Sequence, residues 1–154
     1  MHLMNTKLFF SFLMSSILAI SYVYAEEPTL SPNIQKEIKI KAVQGDAQAQ
    51  YNLGVMYARG DGVTQNYEEA AKWYTKAADQ GYANANLNLS VLYANGLGVK
   101  KDDLKAFQLM EQSARKGDAV AQFNLGLMYK KGIGVKANLD EALKWIRLAA
   151  EQGY

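Results

Sequence analysis

The feature that most constrains this chain is an internal repeat with a period of 36 residues. Three segments that begin at Gly45, Gly81 and Gly117 align without gaps and together reach Gln152. Eleven columns are identical in all three copies, and in the first copy they are Gly45, Ala47, Ala49, Asn52, Leu53, Tyr57, Gly60, Gly62, Val63, Ala70 and Ala78. A unit of this length cannot bury its apolar face alone, so the units are expected to stack on one another as a solenoid.

Each unit contains two apolar stripes with helical spacing. The first helix, helix A, is expected to end at Gly60, and its stripe in the first unit consists of Ala49, Leu53, Met56 and Tyr57. The second helix, helix B, stops before Gly81, and its stripe consists of Ala70, Trp73, Tyr74, Ala77 and Ala78. Small residues in these stripes allow the helix axes to approach closely. Each unit is therefore predicted to be a helical hairpin.

Polar residues mark the start of helix B. Asn66 is followed three residues later by Glu69, and Asn138 by Glu141, which is the pattern of an N-terminal capping box. In such a box each of the two side chains accepts a hydrogen bond from a free backbone N–H group of the other residue. The middle unit keeps Asp102 at the cap position but has a lysine three residues later.

The repeated motif resembles that of a known family. The pattern G-x-A-x-A-x-x-N-L-G-x-x-Y-x-x-G-x-G-V, followed by A-A-x-W-Y and A-A-x-x-G, is similar to the Sel-one-like repeat, a relative of the tetratricopeptide repeat with a longer loop between its helices. The departures are few, with Ser90 in the column of Gly54 and Gly126, and Leu109-Met110 in place of Trp73-Tyr74. The resemblance implies an all-α fold, a right-handed α-solenoid of helical hairpins, and a function in binding other proteins.

The repeats divide the chain into segments. Residues 31–44 align with helix B of a preceding unit, with Ile38 at the Tyr74 position and Ala42 at the Ala78 position. We interpret residues 33–44 as an N-terminal cap helix, preceded by a flexible leader over residues 26–32. The three units are assigned to residues 45–80, 81–116 and 117–152, and residues 153–154 copy the opening of a further, truncated unit. A terminal helix without a polar cap favours self-association.

The first 25 residues have the order of a secretory signal peptide. Lys7 precedes an apolar run from Leu8 to Ile20, and the segment Val23-Tyr24-Ala25 ends on a small residue. The run is too short and too interrupted by serines for a membrane-spanning helix, which needs about 20 apolar residues. We therefore predict cleavage after Ala25 and an exported protein, periplasmic or secreted, with no membrane span after cleavage.

The residue composition argues against enzymes that need histidine or cysteine and against nucleic-acid-binding proteins. The chain has no cysteine, and its one histidine, His2, lies in the predicted signal. The processed chain would therefore lack both the commonest general base and any thiol nucleophile. Once Lys7 is removed, 16 basic residues face 15 acidic ones, so nucleic acid is not an expected partner. We predict a protein that is not an enzyme and that uses no cofactor and no metal.

One short motif favours an enzyme instead. Ser113 and Lys116 match the S-x-x-K arrangement in which a lysine activates a serine for attack on a β-lactam. Some members of the Sel-one-like family have been labelled as β-lactamase-like, so a β-lactam-binding or hydrolysing cell-envelope enzyme is one alternative function, and a self-assembling scaffold is the other. However, Ser113 occupies the small-residue column of Ala77 and Ala149, and the chain has no S-D-N or K-T-G partner motif. The GxG motif that recurs in each unit follows no predicted strand. We therefore interpret it as a structural loop and not as a phosphate-binding site.

One polar column stands out as a candidate partner-binding surface. Asn52, Asn88 and Asn124 interrupt helix A in all three units and lie off the centre of its packing stripe. In tetratricopeptide-like folds helix A lines the concave face, where stacked amides could hold the backbone of an extended partner segment. An equally supported alternative is that each asparagine bonds to a neighbouring repeat. Residues on the same edge vary between units and could set specificity, and they are Gln48, Asn84, Arg59, Asn95 and Lys131.

Overall fold

A computed structural model describes residues 30–154 and contains seven helices in that range. They are α1 (Pro32–Val43), α2 (Ala47–Arg59), α3 (Tyr67–Asp79), α4 (Ala83–Asn95), α5 (Asp103–Arg115), α6 (Ala119–Lys131) and α7 (Leu139–Glu151). Residues 30–154 include no β-strand, so the expected all-α class is confirmed. The predicted signal peptide and most of the predicted leader lie outside the described residues. Within the described range, every helix is too short or too polar to span a bilayer.

The helices pair as the repeat pattern predicts. Helices α2, α4 and α6 are the three copies of helix A, and α3, α5 and α7 are the three copies of helix B. Each helix packs against its neighbours in the sequence, so α2 contacts α1 and α3, and the same order continues to α7. The fold is therefore a one-dimensional stack in which each hairpin is stabilised by its neighbours. Helix α1 starts at Pro32, one residue before the predicted boundary, because proline is well suited to the first turn of a helix.

The capping prediction for helix B is half confirmed. The Asn66 side chain accepts hydrogen bonds from the backbone nitrogens of Glu68 and Glu69 at 3.0 and 3.1 Å, and Asn138 caps α7 in the same way. The reciprocal half is absent, because the backbone N–H of Asn66 donates to the Tyr57 carbonyl at 2.8 Å. This bond ties the start of helix B to the end of helix A. The Glu69 carboxylate instead pairs with Lys72 at 2.8 Å.

The predicted leucine column forms the core. Leu53, Leu89 and Leu125 are all buried, each in or beside the joint between its own unit and the preceding helix. The glycines of helix A make room for the large residue of helix B: a Cβ added at Gly54 would lie 2.6 Å from the Tyr74 ring. Ser90 fills this column in the middle unit, where its hydroxyl donates to the Ala106 carbonyl at 2.6 Å. These close approaches set the distance between the two helices of a hairpin.

The second glycine of each loop forms the joint between units. Gly98 has a φ of 66° and lies so close to the backbone of Tyr67 and Glu68 that a Cβ would overlap those atoms. Gly134 makes the same approach to Asp103 at the start of α5. The second glycine of the GxG motif therefore serves packing. It lets each loop contact the first turn of the preceding helix B at a point where a side chain would not fit.

Candidate partner-binding surface

A groove with a volume of about 540 Å³ lies between α1 and α2 at the N-terminal end of the solenoid. Its floor is apolar and is formed by Leu30 just before α1, by Ile34 and Ile38 on α1, and by Ala49, Val55 and Met56 on α2. Its rim is polar, with Glu37 and Lys41 on α1 facing Gln48, Asn52 and Arg59 on α2, and with Asp46 and Asp61 at the loops. An apolar floor with a polar rim is a common composition for a site that binds a segment of another protein.

Three of the eight predicted binding residues meet in this groove. Gln48 is exposed, Asn52 and Arg59 are partly exposed, and all three belong to α2. Across the groove, Lys41 pairs with Glu37 at 2.6 Å, and this hydrogen bond lowers the pKa of the Glu37 carboxyl below its ordinary value. The rim therefore offers both amide groups and charges of both signs to a bound segment.

The asparagine column has different environments in the three units. Asn88 is 8% exposed and Asn124 is 5% exposed, whereas Asn52 borders the groove. The Asn88 amide donates to the Tyr51 hydroxyl of the preceding helix A, over a long distance of 3.4 Å. Burial raises the pKa of Tyr51 above its ordinary value, so this hydroxyl stays protonated at neutral pH. Asn88 thus faces the preceding helix A, whereas Asn52 is partly exposed at the groove.

The remaining predicted residues lie outside the groove. Asn84 and Lys131 are exposed, and the partly exposed Asn95 donates to the Val91 carbonyl within its own helix at 2.8 Å. The three asparagines therefore do not form a ladder of equally exposed side chains. A partner can reach the amide of Asn52 directly, while those of Asn88 and Asn124 lie mainly within the stack.

Sequence reasoning missed the contribution of α1 to this surface. Ile34 and Lys41 occupy the columns of Ala70 and Ala77, which are fully buried in the first unit. Large or charged residues in columns that hold alanine in the first unit were the available signal, because such residues indicate that the surroundings of α1 differ from those of the other copies of helix B. This change from small to large residues turns the face of α1 into one wall of a groove.

The serine and lysine of the enzyme alternative are both engaged with backbone. Ser113 is fully buried, and its hydroxyl donates to the Ala83 carbonyl at 3.2 Å. The Lys116 ammonium donates to the Gly81 carbonyl at 2.9 Å. Both side chains therefore tie the end of α5 to the start of α4, and the Ser113 hydroxyl is not presented to a substrate.

Replacing Ser113 with alanine is expected to change the free energy of unfolding by less than about 1 kcal/mol. The lost hydrogen bond is worth about 0.5–1.5 kcal/mol, and the higher helix propensity of alanine offsets part of it. The equivalent positions already hold Ala77 and Ala149. Thermal melts measure the stability, and nitrocefin turnover measures any hydrolysis. A hydrolytic activity that this substitution abolishes would contradict the assignment of Ser113 to packing.

Comparison with known proteins identifies the repeat. The family model described as the Sel1 repeat matches residues 47–82, 83–118 and 119–154, which is more than two thirds of the chain. The chain belongs to the Sel1 repeat family. Sel1 repeat proteins are generally protein-interaction modules, and their fold typically serves as a non-enzymatic scaffold.

Solved Sel1 repeat structures have the same architecture. A protective antigen of uropathogenic Escherichia coli strains, described as having an SLR fold, is 43% identical with a TM-score of 0.75, over 78% of this chain and 26% of the antigen. A Sel1 repeat protein from Oxalobacter formigenes is 40% identical with a TM-score of 0.70, over 79% of this chain and 92% of that protein. Cysteine rich protein B of Helicobacter pylori is 28% identical with a TM-score of 0.61, over the same shares. The solenoid fold is thus confirmed.

Two curated relatives are much longer than the region that matches this chain. A sel1-like repeat-containing protein of Acanthamoeba polyphaga mimivirus is 50% identical over 44 residues, which is 29% of this chain and 8% of the viral protein. The rat protein named DAP3-binding cell death enhancer 1 is 37% identical over 62 residues, which is 38% of this chain and 12% of that protein. This chain therefore spans only a small part of the length of these relatives.

Proposed function

We propose that this Sel1 repeat chain binds a segment of another protein in the groove between α1 and α2. The observation that carries the proposal is that Gln48, Asn52 and Arg59, chosen from the repeat pattern, line one groove with an apolar floor. The general role of Sel1 repeats in protein interaction supports a protein partner, as does one relative that is named for binding another protein.

The groove fits an amphipathic segment. Ile34, Val55 and Met56 would bury apolar side chains of the partner, while the amides of Gln48 and Asn52 would hydrogen-bond to its backbone. An amide side chain both donates and accepts, so it can satisfy either group of a peptide bond. The Glu37–Lys41 pair and Arg59 would select charges at the edge of the segment. Backbone contacts then supply affinity, and the rim supplies specificity.

Site-specific photo-crosslinking tests this proposal in the native cell. A photoreactive amino acid replaces Gln48 on the groove rim or, as a matched control, Gln108, which is exposed on α5 away from the groove. We expect a protein adduct from position 48 whose mass spectrum maps to one segment of one partner, and no such adduct from position 108. Equal labelling from both positions, or none from position 48, would count against the groove as the binding site.

We further propose that the chain is exported and cleaved after Ala25, as the signal-like order of residues 1–25 indicates. The expected result is that the protein recovered from outside the cytoplasm begins at Glu26. N-terminal sequencing of cell fractions gives the answer. An intact N-terminus on cytoplasmic protein would overturn this proposal and place the partner in another compartment, without affecting the groove.

A further inference from the structure

The first turn of helix B differs in charge between the first unit and the second. In the first unit this turn carries Glu68 and Glu69, and both pair with Lys72, at 3.1 and 2.8 Å. In the second unit the same two columns hold Leu104 and Lys105, and both are exposed. The start of α5 therefore presents an apolar side chain and a cation where the start of α3 presents two carboxylates.

The lysine at position 105 is not explained by the stability of α5. The first turn of a helix carries a partial positive charge, which favours acidic side chains over lysine. The first and third units keep the favourable residue in this column, as Glu69 and Glu141. The Lys105 ammonium lies 4.5 Å from the centre of the Tyr93 ring, an exposed contact of modest strength. A residue that departs from the preference of its position in this way is a candidate for a role in binding.

Three further lysines lie around this turn. Lys100 and Lys101 are on the loop that leads into α5, and Lys136 is on the corresponding loop of the third unit. The backbone of Gly134 lies against Asp103, and Lys136 follows two residues later, so its Cα is within about 7 Å of the Gly134 Cα. We call the exposed residues at this joint the lysine surface, and they are Lys100, Lys101, Leu104, Lys105 and Lys136.

The acidic groups beside the lysine surface do not neutralise it. Asp102 accepts a hydrogen bond from the backbone nitrogen of Lys105 at 2.9 Å, and Asp103 pairs with Lys101 at 3.5 Å. The other lysines of the surface have no carboxylate within 4.0 Å in the described part of the chain, and they are Lys100, Lys105 and Lys136. Four lysines thus face two aspartates, and the surface is positive.

The composition of the lysine surface favours an acidic protein segment that carries an apolar side chain. Carboxylates of such a segment would pair with the lysines, and its apolar side chain would cover Leu104, which is 57% exposed. A nucleic acid fits less well, because its phosphate backbone offers no apolar group to Leu104. Asp102 and Asp103 would also repel the closely spaced phosphates of a nucleic acid or of an anionic bilayer.

We propose that the lysine surface binds an acidic segment of a partner protein, at a site separate from the groove between α1 and α2. The site lies at the joint between the second and third units, in the interior of the stack, and it does not rest on the proposed function of the groove. Because the contact is largely electrostatic and exposed, it should form rapidly and weaken as salt is added.

Lys105→Glu tests the proposal with a residue that the fold already accepts. Glutamate occupies this column in the first and third units, so α5 should form at least as well in the variant. The matched control is Arg147→Glu, which makes the same charge change at an exposed position on the third turn of α7, where the second unit has Glu111. The probe is a fluorescent synthetic peptide with two glutamates on each side of one leucine. Fluorescence anisotropy at low salt measures its binding.

We expect the parent and Arg147→Glu to bind this peptide with the same affinity, and Lys105→Glu to bind it about tenfold or more weakly. A peptide in which lysines replace the glutamates should not bind. The inference would be overturned if the parent did not bind the acidic peptide, or if Lys105→Glu bound it as tightly as the parent. Tighter binding of a DNA oligonucleotide or of phosphatidylserine vesicles, lost in Lys105→Glu, would also overturn it.

Two readouts separate this site from the groove. The variant with Gln48→Ala and Asn52→Ala should bind the acidic peptide as the parent does, so a failure of either proposal leaves the other standing. Gln108 lies one helical turn beyond Leu104 on α5. A segment bound at the lysine surface would therefore be crosslinked from position 108 at acidic residues distinct from the segment that position 48 labels. Equal loss of acidic-peptide binding in the groove variant and in Lys105→Glu would contradict a separate site.

Discussion

Leu89→Ala is expected to lower the free energy of unfolding by about 2 to 5 kcal/mol, which is the usual cost of truncating a buried leucine. Leu89 is 3% exposed and belongs to a cluster that includes Ala70, Tyr74 and Ala77 of the preceding unit. The lost methyl groups would leave a cavity at the joint between α3 and α4. Because this joint lies inside the stack, both flanking units would lose support.

Chemical denaturation followed by circular dichroism measures this loss. Leu104→Ala is the matched control, since Leu104 is exposed on α5 and its truncation should change the unfolding free energy by no more than about 0.5 kcal/mol. If the two variants unfolded at the same denaturant concentration, the leucine column would not be the core of the solenoid.

Gly98→Ala is expected to be at least as destabilising, for a different reason. Its φ of 66° is in the left-handed region, where a side chain costs about 1–2 kcal/mol. In addition, the new Cβ would overlap the backbone of Tyr67 and Glu68, which cannot move without displacing the start of α3. Together these effects should cost about 3 kcal/mol or more and open the joint between the first two units.

Gly117→Ala distinguishes the cost of the left-handed backbone conformation from the cost of steric overlap between the new Cβ and neighbouring atoms. Gly117 has a φ of 94°, but a Cβ at this position would meet no heavy atom within 4 Å. This variant should therefore show the cost of the backbone conformation alone, about 1–2 kcal/mol. The difference between the two variants in thermal or chemical unfolding isolates the close approach of the loop. If both variants lost the same free energy of unfolding, Gly98 would be needed for the conformation of the loop and not for the contact between units.

The fold could be predicted from the sequence because the repeat shows each position three times. Leu53 and its equivalents fall on one helical stripe, and Gly60 with its equivalents ends helix A in a left-handed conformation, with φ from 65° to 84°. Individual hydrogen bonds were harder to predict where two acceptors compete for one backbone N–H group. The backbone N–H of Asn66 was expected to bond with Glu69, but the Tyr57 carbonyl takes it, because the loop brings the end of helix A within reach.

The candidate site could be predicted only in part, because the repeat pattern treats all units alike. Asn52, Asn88 and Asn124 are identical in sequence, yet the second and third are buried and the first is partly exposed beside a groove. The exposure of each asparagine depends on the residues packed around it, and identical residues in a repeat column do not reveal these neighbours. The groove also depends on α1, whose Ile34 and Lys41 depart from the repeat and were visible in the sequence only as exceptions.

The most direct test of the central claim is a calorimetric titration with the partner segment that photo-crosslinking identifies. The parent protein is compared with a variant that carries Gln48→Ala and Asn52→Ala, and with Gln108→Ala as the control outside the groove. The lost amide hydrogen bonds should weaken binding by the double variant about tenfold or more, while its unfolding curve and the affinity of Gln108→Ala stay unchanged. Equal affinities for all three proteins would contradict the claim that this groove is where the Sel1 repeats bind their partner.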